Sequence, residues 1–98
     1  MTLPLYLRPE AETDLAASRD WYAHRREGLG DNFVASIADV FQRIAQSPEQ
    51  FAVCFREVRR AKPRRFPYII YFRIHADRIE VIGVLHASRD PRLWLRRI

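Results

Sequence analysis

The feature that most constrains this chain is a pair of apolar runs that do not alternate. Pro67 to His75 reads PYIIYFRIH, Arg78 to Ala87 reads RIEVIGVLHA, and the short stretch ADR joins them. A strand with one wet face alternates apolar and polar residues, whereas a strand covered on both faces carries apolar residues on both. The brief connection predicts an antiparallel hairpin. The rest of the chain must therefore cover both faces of one central hairpin, within the single domain, residues 1–98, that 98 residues allow.

One cover is legible upstream. Phe33, Ile37, Val40, Phe41 and Ile44 fall on one face of a helix, which SPEQ ends because proline cannot continue the hydrogen-bond ladder. A first helix is predicted from Pro9 to about Arg26. Proline suits its first turn, Glu10, Glu12 and Asp14 complement its dipole, and Ala11, Leu15, Ser18 and Tyr22 form a stripe that Trp21 widens. EGLGD separates the two helices, so they should form an antiparallel hairpin. LPLYLR reads as a short first strand and REVRRA as another, while FAVCF reads as a loop or an irregular strand. RDPRLWLRRI closes the chain as a helical turn or tail. The order β-α-α-β-β-β gives an α+β fold, a small, mostly antiparallel sheet with a helical hairpin on one face. Its expected core is the second-helix face with Leu15, Trp21, Ile70, Phe72, Val81 and Leu85.

Charge divides unevenly. Residues 1–50 hold 5 Arg against 8 Asp/Glu, and residues 51–98 hold 12 Lys/Arg against 4 Asp/Glu. Such a basic half points to an anionic partner. Other chemistries lack their parts. His24, His75, His86 and Cys54 have no metal-ligand spacing, and the 3 glycines make no phosphate loop, so neither metal nor cofactor is expected. The lone Cys54 is expected as a small buried hydrophobe and excludes an intrachain disulfide. No run is long and apolar enough to span a membrane, and the chain reads as cytoplasmic.

If the central strands pair antiparallel, the start of one lies beside the end of the other. Arg59, Arg60, Lys62, Arg64 and Arg65 would then converge with His86, Arg89, Arg92, Arg96 and Arg97. This predicts one basic and aromatic surface with His86 near it.

The helix pair, Phe66-Pro67-Tyr68, Tyr71, the strand ending at His86, and Arg89-Asp90-Pro91 followed by Trp94 together resemble the RelE/ParE superfamily of bacterial toxins. The likeness is greatest to ParE-type plasmid-stabilisation toxins. It implies a toxin in a hetero-oligomer with a cognate ParD-like antitoxin, and DNA gyrase as the target of a binding toxin without catalytic residues. On that reading Arg64, Arg65, Tyr68, His86, Arg89, Arg92 and Trp94 contact partners, with Tyr6, Tyr22 and Trp94 as apolar anchors for the antitoxin. The alternative is a RelE-like ribosome-dependent mRNA endonuclease using His86 and Arg65. That branch places an arginine directly before the aliphatic pair and tyrosine of the first central strand, where this chain has Tyr68. It also uses a tyrosine near the C-terminus, and the last tyrosine here is Tyr71. A third reading, a nucleic-acid-binding module, rests on the basic half alone.

Overall fold

The computed structural model describes residues 2–98. In chain order the elements are β1 (Leu5–Leu7), α1 (Pro9–Arg25), α2 (Leu29–Gln46), β2 (Val53–Phe55), β3 (Val58–Ala61), β4 (Tyr68–Ile74) and β5 (Ile79–His86). Single 3-10 turns lie at Pro48–Gln50, between α2 and β2, and at Pro91–Leu93 and Leu95–Arg97, after β5. One sheet runs β1-β5-β4-β3-β2, antiparallel except for the parallel pairing of β1 with β5. FAVCF resolves as the short edge strand β2.

The helical hairpin forms where two glycines do different work. Gly28 turns the chain at φ +80°, a conformation that favours a residue without Cβ. Gly30 is already inside α2, where an added Cβ would sit 2.8 Å from the Arg19 carbonyl oxygen, so it lets the helix backbones approach. Phe33, Ile37, Val40 and Ile44 are fully buried against Ile70, Phe72, Ile79 and Val81, and Phe41 packs at the margin of that layer. Trp21 departs from the expected core and is 52% exposed. The stripe of α1 is already filled by Ala11, Leu15 and Tyr22, and the next position round the helix faces outward. There the Trp21 ring lies edge-on to Tyr22 at 5.0 Å, and the Arg25 guanidinium covers it at 4.2 Å.

The second face of the hairpin explains the missing alternation. Val58, Ile69, Tyr71, Ile82 and Leu85 form a separate apolar layer closed by Trp94, with Leu93 and Leu95 beside it. Leu85 is therefore buried, but on the side away from the helices. A bulge adds to the irregular pattern. Tyr71 pairs with Gly83 and Phe72 with Val81, so Ile82 is an extra residue that shifts the side-chain phase of β5. Cys54 also departs from expectation: it is exposed on the edge strand β2, and Val53 beside it is 52% exposed.

β1 is too short to cover the far half of β5. Side chains complete that edge. Asp14 Oδ2 accepts from the Val84 N–H at 3.1 Å, and Arg97 donates to the Ile82 carbonyl at 3.1 Å and to Asp14 at 2.6 Å. The guanidinium occupies the space over Gly83, where an added Cβ would lie 2.8 Å from Nη1.

Candidate functional site

The register brings the entry of β4 to the exit of β5. Tyr68 lies opposite His86, and the Ala87 N–H donates to the Pro67 carbonyl at 2.7 Å. Convergence of the two basic segments holds at the level of the backbone. The side chains then divide into committed and free groups.

Three of the expected cations are committed within the fold. Arg97 holds the strand edge described above. Arg59 donates to the Phe51 and Glu49 carbonyls at 2.7 and 3.2 Å. Arg92 meets Asp90 through Nη2 at 2.9 Å and Nε at 3.2 Å, and those hydrogen bonds lower the Asp90 pKa. Among the described residues Arg60, Lys62, Arg64, Arg65, Arg89 and Arg96 have no side-chain partner within hydrogen-bonding or ion-pair distance.

The free cations do not form one patch. Arg64 and Arg65 line a surface depression against α2, together with Arg26, Asn32, Ser36, Asp39 and Phe66. Arg89 and His86 line another against α1, with Asp14, Ala17 and Ser18, and His86 also borders Trp21 and Tyr22. What separates them is a wedge of aromatic rings. Tyr22, Phe33, Phe66 and Tyr68 pack with centroids 4.8 to 6.1 Å apart.

The segment RRFPY builds this wedge from two consecutive tight turns. The Phe66 N–H donates to the Arg64 carbonyl at 2.8 Å, and the Tyr68 N–H to the Phe66 carbonyl at 2.8 Å. These are γ-turns centred on Arg65 and Pro67. Arg65 has φ +72°, the strained variety, and Ser36 Oγ anchors the turn by donating to the Arg64 carbonyl at 3.1 Å.

His86 is held by its own turn. The Ser88 N–H donates to His86 Nδ1 at 3.0 Å, which makes Nε2 the protonated nitrogen of the neutral ring. Its ring lies edge-on to Tyr68 at 5.3 Å. Burial pushes the Tyr22 and Tyr71 phenols up, so both remain protonated donors at neutral pH.

A family description, the ParE toxin of the type II toxin-antitoxin system parDE, matches residues 5–91. The chain belongs to the ParE toxin family. It is 29% identical over 92 residues to Toxin ParE2 of Mycobacterium tuberculosis, a match that spans 93% of this chain and 88% of that one. Its fold is that of a chain from the chromosomal ParDE toxin-antitoxin system of P. aeruginosa, with a TM-score of 0.74, 22% identity, and coverage of 87% of this chain and 96% of that chain.

On this ParE-type toxin the expected contact residues fall into different roles. Tyr6 is exposed on edge strand β1 and Tyr22 is half-buried in the aromatic wedge, so both can offer apolar surface. Trp94 cannot act as an open anchor. It is 4% exposed and stacks on Tyr71 at 5.1 Å, because it is the lid of the second apolar layer. Tyr68 is likewise buried at 8% exposure and supports the site from beneath. Trp21 and Arg26 were missed by sequence reasoning. Trp21 looked like core, and nothing in the order of residues brings Arg26 to Arg64 and Arg65.

Proposed function

We propose that this ParE-type toxin acts by binding, with DNA gyrase as its target, and that a cognate ParD-like antitoxin holds it inactive in the cytoplasm. The observation that carries this reading is the separation of Arg65 from His86. An endonuclease of this fold would need both groups around one phosphate, one to stabilise charge and the other to move a proton. Here they line different depressions with the aromatic wedge between them. Binding asks only for surface. Exposed Trp21 and Arg89 and half-buried His86 provide one such surface, with Tyr68 beneath it, while Arg64 and Arg65 provide another.

Purified toxin added to gyrase should inhibit supercoiling, and expression in bacteria should induce the DNA-damage response while translation continues. His86→Ala should leave gyrase inhibition within about tenfold, the scale of one lost contact. Prompt cleavage of messenger RNA at ribosomes, abolished by His86→Ala, would overturn the proposal.

A further inference from the structure

We propose that the outer edge of β2 is a self-association surface, at which two copies of this chain pair antiparallel about a two-fold axis through Cys54. β2 ends the sheet, so among the described residues one side of its backbone has no strand beside it. Every residue from Ala52 to Glu57 is exposed, and Val53 and Phe55 are 52% and 40% exposed. An apolar edge with neither proline nor charge within the strand is a template for another strand. Self-association does not depend on the target proposed above.

The opposite end of the sheet shows what β2 lacks. β1 lies between Pro4 and Pro9, which cannot donate to a ladder, and Arg8 beside it is engaged with Glu80 at 3.1 Å. Beyond β1, the Val84 N–H and the Ile82 carbonyl of β5 are taken by Asp14 and Arg97. Val53, Cys54 and Phe55 carry none of these devices. Phe55 is nevertheless held in place. Its ring lies edge-on to Trp94 at 5.9 Å, and the Arg56 guanidinium lies over it at 5.0 Å. An aromatic side chain already ordered at an open edge loses little freedom when a partner covers it.

Charge selects a second copy as the occupant. Exposed Glu49 precedes the strand and exposed Arg56 and Glu57 follow it, in contrast to the 12 Lys/Arg against 4 Asp/Glu of residues 51–98 as a whole. An acidic partner finds no excess of cations here and would be drawn to Arg64, Arg65 and Arg89 instead. Antiparallel pairing lays the segment before one strand against the segment after the other, so Glu49 of each copy approaches Arg56 of the other. The edge is thereby complementary to itself. No β2 residue lines the depressions of the candidate site, so pairing leaves them open. Two three-residue edges bury less than the roughly 1,200 Å² of a stable complex, so the pair should be weak, with a Kd of about 50 µM.

Sedimentation velocity on the purified full chain should show mostly monomer at about 5 µM and mostly dimer at about 500 µM. Hydrogen exchange should slow about fourfold over that range at those Val53–Phe55 amides that point outward. Val53→Lys, at a side chain outside both apolar layers, should raise the Kd about tenfold or more and leave the unfolding midpoint within about 3 °C. Arg56→Glu should raise the Kd about threefold, and adding Glu49→Arg should restore it. Tyr6→Lys, on the opposite edge, should leave the Kd unchanged. Monomer alone at about 500 µM, or a dimer that Val53→Lys leaves intact, would overturn the proposal. Monomer throughout, with the Val53–Phe55 amides protected only in the presence of gyrase, would give the edge to that partner and equally overturn self-pairing.

Discussion

The two ends of the β4–β5 hairpin carry comparable numbers of cations and treat them in opposite ways. At the turn end, Arg8, Arg73 and His75 surround Glu80, whose side chain is 9% exposed. Arg73 Nε lies 2.7 Å from its carboxylate, His75 Nε2 2.8 Å and Arg8 Nη1 3.1 Å. Burial alone would raise the Glu80 pKa, but the hydrogen bonds from His75, Arg73 and Arg8 and the charge of Arg73 outweigh it and hold it at about 2. At the open end, among the described residues, no carboxylate lies within ion-pair distance of Arg26, Arg64, Arg65 or Arg89, and Asp14, which borders Arg89, is taken by Arg97. The first cluster ties β1, β4 and β5 together. The second makes no such tie between elements among the described residues. Arginine count does not separate structural charge from functional charge; the presence of an internal anion does.

The comparison breaks most sharply at Glu80. Glu80→Ala would strand its cations at a nearly buried site, and urea denaturation should show a loss of about 3–5 kcal/mol. A loss below about 1 kcal/mol would mean that the turn-end cluster is as solvated as the open end.

Acid probes the same carboxylate without mutation. Its pKa in the fold, about 2, lies below the ordinary glutamate value of 4.5, so the unfolded chain binds more protons between those values. The stabilisation is complete above about pH 4.5 and is lost as the pH falls towards 2, by up to about 3 kcal/mol. Glu80→Gln should flatten that part of the stability–pH curve. An unchanged acid limb would assign acid unfolding to other groups.

The open end should respond least in stability and most in binding. Arg64→Glu with Arg65→Glu should alter unfolding by less than about 0.5 kcal/mol. Stopped-flow association with the antitoxin should slow and lose most of its salt dependence, because exposed charge steers encounter more than it sets dissociation. Association insensitive to both salt and the double substitution would remove this end from antitoxin capture.

Much of this was legible in residue order. The period of Phe33 to Ile44 and the breaker at Pro48 are local signals, so the second helix could be read without its surroundings. The unbroken apolar content of β4 and β5 requires cover on both faces, and the ParE likeness rests on residues distributed along that same framework. Trp21 shows where local reading stops. A tryptophan next to a helical stripe is core or surface according to how much of the helix the sheet covers, and the small sheet here covers only the side of Ala11, Leu15 and Tyr22. Trp94 shows the converse: in a polar, proline-containing tail it looked available, yet it fills a layer that the bulge at Ile82 helps to shape.

The sequence by itself determined the order of elements, the helical hairpin, the two-sided central strands and the basic character of the second half. These follow from short-range periodicity, from turn residues and from counting charge. Only the tertiary structure decided which arginines are free. That outcome depends on whether a carboxylate or carbonyl lies within about 3 Å, as Asp14 does for Arg97 across 83 positions of the chain and Glu80 does for Arg8 across 72. No local pattern encodes such distances, because they arise when packing closes the chain on itself.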